Sequence, residues 1–178
     1  MAATHELRSK AYELSKWIKS LQFGKTYKVK IYLTEDNPLL VNGLSALGTA
    51  YFDNSIDIDL YTLVNTLNLT DNEIKFIIAH ELGHLIGTQM TTHKSAGIPM
   101  AYLNEEDTLF REAEADSIAV KMLNISPAEY RVLRQGLNDY VLTACIASGE
   151  VKTSELSDVR MRYYAHTVKQ VEKAISML

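Results

Sequence analysis

The chain has 178 residues, 47% hydrophobic and 22% charged, with a net charge of −4. That is ordinary composition for one globular domain, residues 1–178, and it excludes disordered, collagen-like and low-complexity classes. No apolar run approaches the ~20 residues of a membrane span, the first 20 residues carry charges throughout, and the acidic balance argues against a general nucleic-acid binder. A single cysteine, Cys145, leaves no internal disulfide and makes a cytoplasmic location the expectation.

Residues 4–22 read as an amphipathic helix, because Leu7, Ala11, Leu14, Ile18 and Leu21 recur at helical spacing, with Gly24 placed to end it. Seven Lys/Arg against Glu6 and Glu13 give residues 1–30 a balance of +5, leaving −9 for the rest. The plain reading is a helix with a basic outer face on an acidic body. Tyr27, Val29, Ile31 and Leu33 alternate with polar residues as in a half-buried strand, and Glu35-Asp36-Asn37-Pro38 signals a turn. Residues 47–52 (LGTAYF) form a second strand, broken by Asp53-Asn54-Ser55. Ile56, Ile58 and Leu60 alternate with Asp57, Asp59 and Tyr61 as a third, entering a short helix around residues 61–67. Beyond residue 70 the pattern is helical nearly to the end. The expected class is α+β, a small N-terminal sheet of about three strands on a mostly helical body.

Thr70-Asp71-Asn72-Glu73 is a capping box. The helix it opens carries Ile74, Ile77, Ile78 and Leu85 on one face, and Gly87 is placed to end it. Within it lies His80-Glu81-Leu82-Gly83-His84. At 100° per residue the two histidines stand one turn apart on one face, so both imidazoles can reach one metal. Glu81 is offset by one residue and can reach a water on that metal. Chance delivers H-E-x-x-H in about one such sequence per hundred.

A catalytic zinc needs a third protein ligand and one open position. On a helix over residues 109–123, Leu109, Glu112, Ala113, Asp116, Ala119, Val120 and Leu123 share one face, so two carboxylates sit in an apolar stripe. Glu112 is the expected third ligand. Asp116, one turn on, would accept a hydrogen bond from the other ring nitrogen of a ligand histidine. Glu114 points about 160° away on the wheel and is expected to be solvated. The small Ala113, Ala115 and Ala119 would let two helices approach closely.

These residues resemble the gluzincin metallopeptidases, most closely the family of the CaaX prenyl protease and HtpX. Asp71-Asn72-Glu73-Ile74 followed by Ala79-His80-Glu81-Leu82-Gly83-His84 is similar to its active-site helix, and Glu112 through Asp116 to its E-x-x-x-D glutamate helix. LGTAYF and IDIDL resemble the strands before that helix, and residues 158–163 faintly resemble a later segment bearing an arginine, here Arg160. The best-known members have transmembrane helices; this chain resembles the soluble minigluzincins, and the ImmA/IrrE-like peptidases share a short domain of the same kind. The resemblance implies a zincin-like domain, Zn²⁺ on His80, His84 and Glu112, Glu81 as general base, and a peptide or protein substrate. An oxyanion helper is open among Arg160, His166, Tyr102, His93 and Tyr163. The metzincin pattern H-E-x-x-H-x-x-G-x-x-H meets Met90 at its last position, a poor zinc ligand beside two imidazoles. Two other readings stand beside this one, an ImmA/IrrE-like regulator acting on a repressor by proteolysis or by binding, and a zinc-stabilised non-catalytic interaction domain.

Residues 85–108 read as the longest irregular stretch, either a lid or a plain crossover. Residues 127–147 and 156–178 read as helices that cover the core, with Cys145 a small buried hydrophobe. Oligomeric state is not readable.

Overall fold

A computed structural model describes residues 4–21, 27–34, 40–41, 44–45, 48–51, 53–90, 103–147 and 155–178. The fold is α+β: mostly helical, with a small three-stranded sheet on its N-terminal side. The chain divides into two compact units, Met1–Glu81 and Leu82–Leu178, and the division falls inside one continuous helix.

In the N-terminal unit, α1 (His5–Ser20) starts where the Thr4 hydroxyl accepts the Leu7 N–H at 3.2 Å. Leu7 and Leu14 are its buried positions, as their spacing predicts. Its cations include Lys10, which pairs with Asp71 at 2.7 Å; both are solvent-accessible, so the pair contributes at most ~1 kcal/mol. Lys75 lies over the Trp17 ring. The helix has ended by Leu21, and Gly24 lies outside the described residues.

The three expected strands are present as β1 (Lys28–Tyr32), β4 (Gly48–Tyr51) and β5 (Ser55–Asp59), with a two-residue pair, β2 (Leu40–Val41) and β3 (Leu44–Ser45), between the first two. The order is β1-β5-β4. β5 pairs in parallel with β1, Val29 opposite Ile56 and Ile31 opposite Ile58, and antiparallel with β4. The central strand therefore takes the deepest burial, and Ile56, Ile58 and the following Leu60 are fully enclosed. In the β4–β5 turn Asn54 is left-handed (φ 62°), and Asp53 accepts both the backbone N–H and the hydroxyl of Ser55. Beyond β5 the expected short helix is a single π-helical turn, Thr62–Thr66, whose Thr62 N–H is capped by the buried Asp59 carboxylate.

α2 (Asp71–Met90) opens with the capping box: Thr70 donates through its N–H and hydroxyl to Glu73, which returns its N–H to the Thr70 hydroxyl. Phe76, Ala79 and Leu82 are buried along with the expected Ile74, Ile77, Ile78 and Leu85, so the helix is apolar nearly all round. It does not end at Gly87 but runs on to Met90, which shortens the expected irregular stretch from its start; residues 91–102 lie outside the described residues.

The C-terminal unit holds α3 (Glu105–Leu123), α4 (Pro127–Ala147) and α5 (Leu156–Ser176). Asn104 caps α3, accepting the Asp107 N–H at 2.8 Å, and a left-handed Asn124 ends it. Ser126 and Glu129 form a second capping box before α4, with Pro127 in its first turn. α5 packs on α3 and α4 through a face that buries Thr167, Gln170, Val171 and Ala174, while its N-terminal half is mostly exposed. The side chain of Cys145 lies outside what is described. No helix among the described residues is long and apolar enough to cross a membrane.

Candidate metal centre

α2 places His80 and His84 one turn apart, as the 3.6-residue period requires. One ligand atom from each of His80, His84 and Glu112 lies within 4.8 Å of the other two, a group able to hold a metal ion. The Nε2 of His84 stands 3.4 Å from Oε1 of Glu112. His80 is buried, whereas His84 and Glu112 are partly accessible to solvent. The Phe76 ring lies 6.5 Å from that of His80.

Gly83 explains how α3 comes so close. A Cβ there would lie 2.5 Å from the carbonyl oxygen of Ala115 and 2.9 Å from its Cα. Backbone meets backbone at this point, and only the absence of a side chain permits it. The expectation that small residues allow close approach holds for Ala115 with Gly83 as its counterpart. Gly87, one turn on, faces a side chain instead: a Cβ there would meet the Glu114 carboxylate at 2.5 Å. Glu114 is therefore not solvated as the helical wheel implies. It is half-buried against α2, because α3 is enclosed on more than one side, with Arg111, Ala115 and Ser117 buried as well as Ala113 and Asp116.

Glu81 lies on the same helix, partly exposed. A Cβ on Gly48, at the start of β4, would lie 2.7 Å from its Cγ and 3.1 Å from its Oε1. β4 thus runs directly against the candidate base. A glycine opening a strand is a sequence signal for such an approach, and Gly48 is a site residue that sequence reasoning passes over.

Asp116 is fully buried. The sequence reading gives it a ligand histidine as partner; the partners that the structure shows for it are three others, which the sequence does not signal. Its Oδ2 accepts the Tyr130 hydroxyl and the Gln170 amide, each at 2.7 Å, and lies 3.2 Å from the Arg134 Nε. Burial, with Asp116 alongside, pushes the Tyr130 hydroxyl far above its ordinary range, so it remains a donor. Arg134 also reaches Glu112, Nη2 to Oε2 at 3.8 Å.

Among the described residues, the candidate oxyanion helpers all come from α5. Arg160, Tyr163 and His166 lie on the exposed part of α5. His166 lines a groove of about 720 Å³ with Glu105, Arg162 and Lys169, and Arg160 lines another of about 270 Å³ with Asn138 and Tyr164. Among the described residues neither groove includes His80, His84 or Glu112. Tyr102 and His93 lie outside the described residues.

Comparison with protein-family models, with curated proteins and with solved structures finds no match for this chain in any of the three.

Proposed function

We propose that the protein is a zinc-dependent peptidase, with His80, His84 and Glu112 as metal ligands and Glu81 as general base. The observation that carries the reading is the convergence of His80, His84 and Glu112, with Glu81 next in the chain to His80 as a carboxylate that a structural metal site would not need. The donor set suits zinc: two imidazoles and one carboxylate, three protein ligands with a position left over. The separation of 3.4 Å between His84 and Glu112 agrees with the roughly 3.3–3.4 Å expected between two donors on one tetrahedral zinc ion. Bound there, zinc supplies a water acidic enough to attack near neutral pH and polarises the carbonyl under attack.

The rest falls to the chain. His80 and His84 must be neutral at their ligating nitrogens, so metal binding and protonation compete at both. Glu81 takes the proton of the attacking water on its carboxylate and passes it to the departing amine. An extended peptide is the favoured substrate on geometric grounds. Among the described residues β4 is an edge strand, and its backbone at Gly48 abuts Glu81. A peptide added along that edge would bring an amide beside the base.

The test is Glu81→Gln. The variant is expected to fold and bind one zinc per chain, as wild type does, while losing hydrolysis of a peptide library by the ~10²–10⁴-fold of a general base or more. Equal cleavage by variant and wild type ends the mechanism. Wild-type protein that binds zinc and cleaves nothing makes the group a structural metal site.

A further inference from the structure

We infer that Arg134 is a positioning residue for the metal centre: it holds one oxygen of Glu112 so that the other alone is offered to the metal. The inference rests on the zinc reading above and adds a residue outside the H-E-x-x-H and E-x-x-x-D motifs.

Arg134 lies one turn beyond Tyr130 on α4, on the side that also buries Leu137. Its side chain is only 15% exposed. A guanidinium removed from water needs carboxylate partners, and its planar fork can serve two at once. The two here are one turn apart on α3. Nε lies 3.2 Å from Asp116 Oδ2, and Nη2 lies 3.8 Å from Glu112 Oε2. The Asp116 end is fixed, since the same oxygen is bonded by Tyr130 from α4 and by Gln170 from α5. The Arg134 Nε is thus in ion-pair range of Asp116 without a hydrogen bond of its own, and the far nitrogen reaches toward Glu112.

At Glu112 the two oxygens face different ways. Oε1 stands 3.4 Å from His84 Nε2, on the metal side, and Oε2 lies toward the cation. A carboxylate left to turn can chelate a metal through both oxygens and fill the position a substrate or water needs. One whose second oxygen is drawn to a guanidinium presents a single donor. The cation also offsets the repulsion between Glu112 and Asp116, which would otherwise oppose keeping the metal-free centre assembled.

The experiment compares wild type, Arg134→Gln, Arg134→Lys and Tyr130→Phe. Zinc affinity is measured by chelator competition, coordination by the visible absorption of the cobalt(II)-loaded proteins, and integrity by thermal unfolding of the metal-free proteins. Arg134→Gln is expected to weaken zinc binding about 10–100-fold. Its cobalt spectrum should lose intensity as Oε2 joins Oε1 and four-coordination gives way to five. Arg134→Lys keeps the charge but lacks the fork, so affinity should recover in part and the weakened spectrum should persist. Tyr130→Phe removes a bond from Asp116 without touching Glu112, and should lower the unfolding temperature with the cobalt spectrum unchanged. Wild-type affinity and spectrum in Arg134→Gln overturn the inference, as they do in Arg134→Lys if the glutamine variant does not fold. So does a Tyr130→Phe spectrum altered as much as that of Arg134→Gln, which would reduce Arg134 to general support. None of these readouts needs turnover: inactive wild type that binds zinc sinks the peptidase reading alone, and wild type that binds no metal sinks both.

Discussion

Glu112 and Asp116 are one helical turn apart on α3 and chemically alike, yet the structure surrounds them differently. Glu112 is 23% exposed at its side chain, with an imidazole on one oxygen's side and a guanidinium on the other's. Asp116 is fully buried and meets two neutral donors and that same guanidinium. The difference teaches that a carboxylate in an apolar stripe has two distinct uses. One leaves an oxygen where an ion could be held, and the other spends its acceptor capacity on joining α3, α4 and α5.

The contrast breaks most visibly in metal binding. Replacing Glu112 with Ala should weaken zinc by more than the roughly 10–100-fold typical of an outer contact. The metal-free protein should lose less than about 1 kcal/mol, because a partly exposed pair at 3.8 Å stabilises little. Glu114→Ala should leave zinc affinity unchanged, and a loss there equal to that of Glu112→Ala would assign the ligand to the wrong glutamate. Asp116→Ala should do the opposite in the metal-free protein, costing about 3–5 kcal/mol in urea unfolding, since it strands a largely buried guanidinium and two buried donors. Should both variants lose the same stability, the two carboxylates are not functionally divided.

Two glycines sharpen the comparison. Gly83→Ala drives a methyl into the Ala115 backbone, which no rotamer change relieves, so a stability loss of about 1–3 kcal/mol with weaker zinc binding is expected. Gly87→Ala meets only the end of a flexible glutamate and gains about 0.8–1 kcal/mol of helix propensity. Its thermal midpoint should match or slightly exceed that of wild type, with zinc affinity unchanged. A destabilised Gly87→Ala protein would mean that Glu114 is held more firmly than its exposure implies.

Much of this molecule is legible from local pattern. The helix starts at Thr4, Thr70 and Ser126 follow from side chains that cap their own backbone, and the three sheet strands follow from two-residue alternation. What failed were two particular readings, one of a helix end and one of a wet face, while the expected apolar faces of α1 and α2 are buried. Gly87 reads as a stop signal and Glu114 as solvated, because a wheel drawn on one helix carries no information about a second neighbour packed on its far side.

The amino-acid order alone determined the main helices and the three sheet strands, the pairing of His80 with His84 and the candidacy of Glu112, since each depends on separations of two to four residues along one element. The strand order, the approach of Gly48 to Glu81, and the gathering of Tyr130, Arg134 and Gln170 about Asp116 were decided only in three dimensions. Those contacts join residues 14 to 54 positions apart or strands with others between them. Their cause is the burial of whole faces, which no short-range period records.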